Sequence, residues 1–312
     1  MDEDKIREFA YVAARKRSFP FDADSDIKLM LTHLNLLVGD NVTNAAILLF
    51  GKKPQRFFIT SEVRCAHFHG YEITKPIPSY QVYKGDIFEL VTQSVDFVLS
   101  KINLYVGERD KSATVDVQYE LPIQAVTEAI VNAIAHRDYS SNGSVQVMLF
   151  KDRLEICNPG TLPYGLTPAK LALPHISMPA NPLLAEPMYL RGTIERMGTG
   201  TGDIINRCLA QGLEAPLFIQ EEDFRVILYR AVDEPLQETL NVTENVTENV
   251  TEKRHILILN EVRLENTISI DELAEKLKVT RRTVIRDIEK MKKMKLIARI
   301  GPDKGGYWQL IN

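Results

Sequence analysis

Glu128 and Asn132 stand four residues apart in a stretch of helical periodicity, so their side chains share one helix face. A carboxylate and a carboxamide so placed could orient an attacking water and complete the coordination of a phosphate-bound Mg²⁺, an ion that prefers oxygen ligands and keeps several waters. Glu and Asn at this spacing also occur on many solvated helices. Two further blocks give the pair a context. Ile156-Cys157-Asn158-Pro159-Gly160 ends an expected hairpin, and Arg196-Met197-Gly198-Thr199-Gly200-Thr201-Gly202 precedes a helix. Alternating glycines let backbone N–H groups approach phosphate oxygens, and the helix N-terminus behind them adds a favourable dipole. Glycine triplets are also ordinary turns; the order of all three blocks is what sets this chain apart. A P-loop is absent, because Gly51-Lys52 is followed by Lys53 with no glycine five positions before it, and the Gly198 loop holds no lysine. The spacing of Gly198, Gly200 and Gly202 also differs from a dinucleotide fingerprint.

A second chemistry lies near the C-terminus. Between Thr280 and Lys295 there are seven basic and two acidic residues. Thr280 can cap a helix running from Arg281 to Met291, on which Val284, Ile288 and Met291 share a core face. Arg281, Arg282, Thr283, Arg286 and Lys290 are then outward or at its edges. The first residues of such a helix would read base edges in the major groove, while Lys292, Lys293 and Lys295 hold phosphates. A basic helix can also be merely solvated, or serve protein contacts.

These residues need elements to position them. Pro122 suits the first turn of a helix reaching about His136, and Ser144 to Phe150 with Arg153 to Cys157 form a hairpin. A proline-rich loop, the glycine-rich turn, a helix from about Asp203 to Gln211 and a strand at Phe224 to Ala231 complete an α/β sandwich order. Upstream, Thr43 to Gly51 and Val63 to Gly70 are apolar runs ended by glycine, and Gly85 to Ile102 has helical spacing, so residues 1–115 read as α/β. Downstream, His255 to Leu264 reads as a helix. Ser269 and Glu272 form a capping box for a second helix, and Leu296 to Ile300 with Tyr307 to Ile311 make a two-stranded wing whose turn contains Lys304. Three tandem Asn-Val-Thr-Glu copies, from Asn241 to Glu252, mark residues 233–253 as a linker. Each copy is formally a glycosylation sequon, which a chain without a signal peptide would not use.

With 312 residues, 45% hydrophobic and 26% charged content, the composition is that of a globular protein of two or three domains. No apolar run approaches the roughly 18 residues of a membrane span. An acidic N-terminus and three scattered cysteines lead us to expect a cytoplasmic protein with neither disulfides nor a zinc site. The net charge of −4 conceals an asymmetry. Residues 253–312 carry fourteen Lys/Arg against eight Asp/Glu, a net of +6, which leaves −10 for residues 1–252.

The runs ELPIQAVTEAIVNAIAHRDY (residues 120–139), LEICNPGTLP (154–163), NPLLAE (181–186) and IERMGTGTGDI (194–204) resemble the ATP-binding regulators labelled RecG-like helicase or Schlafen/AlbA-type transcriptional regulators. TNAAILLFGKKPQRF (43–57) is similar to the region that follows their AlbA-type half, and residues 1–115 would be a shortened form of that half. Their next domain, here 116–232, is similar to the Bergerat ATP-binding fold. The resemblance implies ATP and Mg²⁺ as cofactors, Glu128 as general base and Asn132 as Mg²⁺ ligand. It also implies Asn158 and Gly160 in the adenine-reading motif, and Gly198, Gly200 and Gly202 as the phosphate loop. His136 and Arg137 would lie near the phosphates or serve the helix end. Asn158 stands where the family has Asp, and Leu162 where it has glycine, so the resemblance points to nucleotide binding more than to turnover. Residues 254–312 resemble the winged helix-turn-helix of DeoR-type repressors. The expected protein is a bacterial transcriptional regulator that binds double-stranded DNA, as a homodimer and away from membranes, under the control of ATP. A slow ATPase or ATP-dependent nucleic-acid-processing protein without a motor, and a dimerisation domain that binds no nucleotide, are the alternatives.

Overall fold

The computed structural model describes residues 1–106, 117–173, 175–195, 200–231, 258, 262, 266, 268–276, 279, 281–293, 296–300 and 307–310. It divides into two compact units, Met1–Asp233 and Glu234–Asn312. The expected linker, the helix at 255–264 save Ile258 and Val262, Gly198, Thr280 and Lys304 lie outside the described residues.

In the first unit, α1 (Glu3–Arg17), α2 (Ile27–His33) and α3 (Asn44–Phe50) pack around Phe9, Phe19 and Phe50, with β1 (Leu37–Val38) and β2 (Asn41–Val42) as a short hairpin. Next come β3 (Val63–His67), β4 (Ser79–Tyr83), α4 (Ile87–Leu99), the paired strands β5 (Leu104–Val106) and β6 (Val117–Tyr119), and α5 (Ile123–Ala135). β7 (Val145–Leu149) and β8 (Arg153–Asn158) form the expected hairpin. After α6 (Pro182–Leu190) and α7 (Gly200–Ala210), the strands β9 (Leu217–Gln220) and β10 (Phe224–Tyr229) close the unit.

Six strands form one mixed sheet in the order β4-β3-β7-β8-β10-β9, antiparallel throughout except for the parallel pair β3 and β7. That parallel pair corrects the division at residue 115 or 116. Val63 to His67 is in register with Val145 to Leu149, so the two segments share one sheet and one core. A parallel pair requires a long crossover, and here the crossover contains α4 and α5. α4 packs on β3 and β4, and α5 on β7, β8 and α7. Strand alternation sends Val145, Val147, Leu149, Leu154 and Ile156 into the core shared with these helices. A capping box between Asp86 and Glu89 starts α4, and Lys5 of α1 reaches both carboxylates, at 2.5 and 2.8 Å.

In the second unit, α8 (Ile270–Lys276), α9 (Arg281–Lys293) and the antiparallel pair β11 (Ile297–Ile300) and β12 (Tyr307–Leu310) enclose a small core of Leu273, Val284, Ile288, Met291, Ile297 and Trp308. The expected capping box is present: Glu272 N donates to Ser269 Oγ at 3.2 Å, and Ser269 N to Glu272 Oε2 at 2.8 Å. The Trp308 indole donates to Ile268 O at 2.9 Å, which fixes the wing to the segment before α8. Among the described residues, no helix is long and apolar enough to cross a membrane.

Candidate functional site

Helix α5 buries Ala125, Ala129, Ile130, Ala133 and Ile134 and turns Glu128 and Asn132 toward a cavity that opens to solvent. Small residues at 129 and 133 leave that space. Asn132 Nδ2 donates to Glu128 Oε1 at 3.0 Å, so the pair forms one unit and the Asn132 Oδ1 acceptor stays available. Burial holds the Glu128 carboxyl above the usual carboxylate range. The Asn132 hydrogen bond opposes this rise, and the negative charges of Asp203 and Glu195 add to it. One turn further, His136 also lines the cavity, and burial lowers its pKa, favouring the neutral imidazole.

The opposite wall is the sheet. Ile156 of β8, Phe224 and Val226 of β10 and Phe218 of β9 give it an apolar surface. Asn158 closes β8 at the edge of this surface. It is 3% exposed, and among the described residues its Oδ1 has no hydrogen-bond partner. Such a buried acceptor costs stability until something donates to it. Gly160 does not line this cavity. Its N–H donates to Asn158 O at 2.8 Å, and a Cβ there would come within 2.8 Å of His136 O, so glycine lets the β8 end pack on the end of α5.

Gly200 meets the pair directly, since a Cβ at this position would collide with Glu128 Oε1. α7 begins at Gly200, ahead of the start expected near Asp203, and contains Gly202, whose added Cβ would meet nothing within 4 Å. Thr201 donates to Leu171 O at 2.7 Å and thereby ties α7 to the third wall, which includes Leu171, His175, Ile176 and Met178.

The structure therefore gathers Glu128, Asn132, His136, Asn158 and Gly200 around one cavity. Arg137 is not among them. It is 2% exposed and turns away: Nη2 donates to Thr60 Oγ1 at 2.8 Å and Gly143 O at 2.6 Å, with the guanidinium over the Tyr139 ring. The residue after a helix end leaves the helical face, and periodicity cannot follow it there. Thr161, Phe218 and the wall of Leu171, His175, Ile176 and Met178 are cavity residues that no local sequence pattern marks as such. Glu195 ion-pairs with Arg17 of α1 while lining the cavity; its place beside the glycine run was the available signal.

On α9, Arg282, Arg286 and Lys290 are exposed, opposite the buried Val284, Ile288 and Met291. Arg282, Thr283, Ile285, Arg286 and Glu289 border one shallow groove. Arg281 differs, because its Nη1 donates to both carboxylate oxygens of Asp271 in α8, each at 2.6 Å.

No curated protein matches the chain significantly. Across the chain the fold is similar to the crystal structure of the DIP2311 protein from Corynebacterium diphtheriae, with a TM-score of 0.56, 18% identity and 98% of this chain covered. This chain spans 61% of that protein's length. Residues 142–228 match the family described as "Putative ATP-dependent DNA helicase recG C-terminal", a span that includes Asn158 and Gly200 but begins after Glu128 and Asn132. Residues 254–307 match a helix-turn-helix domain family. The chain thus carries an ATPase-like segment similar to the RecG C-terminal family and, after it, a segment similar to a helix-turn-helix domain.

Proposed function

We propose that this protein is a transcriptional regulator that binds double-stranded DNA through α9, and whose cavity binds ATP with Mg²⁺ and alters that binding. The observation that carries the nucleotide reading is Asn158, a buried acceptor without a partner beside an apolar wall. A flat purine fits such a wall, and its exocyclic amino group supplies the missing donor. The triphosphate would extend toward Gly200 of α7, where the missing side chain lets phosphate oxygens approach the backbone.

The donor set suits Mg²⁺ in one particular way. Among the described residues no group of three His, Cys, Asp or Glu side chains is arranged to hold a metal. The ion would enter with the phosphates and waters, taking the Asn132 carboxamide oxygen from the chain. When bound it neutralises phosphate charge beside Glu128, Glu195 and Asp203. The chain itself would orient the base at Asn158, exclude water along Leu171, Ile176 and Met178 and hold a proton acceptor at Glu128.

Calorimetric titration of the full chain with ATP and Mg²⁺ tests this reading. Saturable binding is expected, weakened about tenfold in Asn158→Ala, together with a change in duplex affinity when ATP is present. An absence of heat, with no thermal stabilisation by ATP, removes the nucleotide reading. A slow ATPase is a second reading, favoured by the Glu128 carboxyl, whose raised pKa brings it closer to a useful base at neutral pH. In that case Glu128→Gln abolishes phosphate release and spares binding.

A further inference from the structure

The loop between α3 and β3 serves neither the cavity nor α9. It is built firmly. Pro54 is buried, Phe58 packs on the core, and a turn of 3₁₀ helix spans Pro54–Arg56. The Gln55 carboxamide donates to Ser61 O and, at 2.8 Å, to Gly85 O, and accepts from Gly85 N at 3.2 Å. From the other side, Arg137 holds Thr60, whose hydroxyl donates to Ser141 O at 3.1 Å. On this frame the remaining residues face solvent. Lys52, Lys53 and Arg56 are exposed, and among the described residues none of them has a carboxylate partner. The nearby Glu62 carboxylate is already paired with Arg64 and Lys84. Just after Arg56 in the same loop, Phe57 is 65% and Ile59 76% exposed.

Large apolar side chains held in water on a rigid loop mark an interaction surface. The three free cations narrow its occupant. A second copy docking by two-fold symmetry would set this patch against itself and bring like charges together. A polyanion is favoured instead, and residues 254–307 match a helix-turn-helix family, so nucleic acid is the polyanion this chain is equipped to engage. Duplex DNA buries its bases and offers Phe57 nothing to stack on, whereas an unpaired strand offers both phosphates and base faces. We infer that residues 52–59 contact a single-stranded nucleic acid, with Lys52, Lys53 and Arg56 on phosphates and Phe57 stacked on a base. This surface is distinct from both sites of the proposed function and does not depend on nucleotide in the cavity.

The test uses the full chain and fluorescence anisotropy with a labelled oligothymidylate of about twenty nucleotides, beside a duplex of equal length. Lys52→Glu combined with Lys53→Glu and Arg56→Glu is expected to weaken oligothymidylate binding at least about tenfold. The slope of log affinity against log salt should shrink by about two, because each lost contact to a single strand contributes about 0.7. Duplex affinity should change less than about twofold. Phe57→Ala, which truncates a mostly exposed side chain, should weaken the single strand about fivefold and leave its salt slope unchanged. The inference is overturned if the charge-reversed variant keeps its affinity for the oligothymidylate, or loses affinity for both nucleic acids equally. It is also overturned if the wild-type chain binds vesicles of anionic lipid and not the oligonucleotide.

Discussion

The two units treat polar side chains in opposite ways. In the first, Glu128, His136 and Asn158 are drawn inward around a concave cavity, and burial moves the pKa of the first two away from their ordinary values. In the second, Arg282, Arg286 and Lys290 are pushed outward on one face of α9, and their charges stay in water. Desolvated groups are poorly screened by salt and respond to pH or to a ligand that satisfies them; solvated charges respond to salt and attract a polyanion. The contrast separates their perturbations: substitutions on α9 should act on DNA affinity and its salt dependence, and substitutions in the cavity on nucleotide affinity and the pH dependence of stability.

The largest expected effect is on α9. Arg282→Ala together with Arg286→Ala removes two exposed cations from the side of the helix opposite its core, so the fold is kept. At roughly 1–3 kcal/mol per contact to a base edge, or less for a phosphate, duplex affinity should fall about a hundredfold, with nucleotide affinity unchanged. Anisotropy titrations across a salt series check this, and a parallel loss of ATP binding would end the separation between the two units. Gly200→Ala follows. A helix accommodates alanine better than glycine by roughly 0.5–1 kcal/mol. The new Cβ would nevertheless displace the Glu128 carboxylate, which moves at the end of a flexible side chain and would leave its bond with Asn132. Thermal stability should therefore stay within a few degrees of wild type while ATP affinity falls about tenfold in calorimetry.

How far these arrangements were legible in the sequence depended on the distance over which they form. Glu128 with Asn132, the Ser269 and Glu272 box, the β7–β8 hairpin and the buried face of α9 follow from periods of 3.6 or 2 within a few residues, and all are present. The parallel pairing of β3 with β7 joins segments about eighty residues apart, and nothing local in either apolar run names its partner. The direction of Arg137 and the bond from Arg281 to Asp271 were likewise hidden, because each depends on what the fold brings alongside a helix end. That Glu128, Asn132 and Asn158 would stand together was readable; the walls of their cavity, apart from α5 and β8, were not.

Glu128→Gln sharpens the pH side of the comparison. In the unfolded chain this carboxyl titrates near 4.5, and in the folded chain at a higher value. Between those two values the folded state binds more protons, so the group's contribution to stability declines as pH rises through that window and stays unfavourable above it. Glutamine keeps the acceptor for Asn132 and carries no charge. The variant should melt a few degrees higher than wild type at neutral pH and with wild type below about pH 4.5.

The smallest effect is expected at Arg281, where the second unit departs from its own rule. Its guanidinium is bound by Asp271, with side chains 59% and 67% exposed, and such a solvated pair contributes about 0–1 kcal/mol and less in high salt. Arg281→Ala should thus lower thermal stability slightly, and only at low ionic strength. On DNA it should cost less than Arg282→Ala, because the Asp271 carboxylate already neutralises Arg281 and would have to release it before a phosphate or base could be reached. Asp271→Asn makes the converse case: if the ion pair restrains Arg281, freeing it should tighten duplex binding about twofold, and that gain should vanish when Arg281→Ala is added. A gain that persisted in the double variant would mean that Asp271 acts by repelling phosphate directly, with Arg281 playing no part.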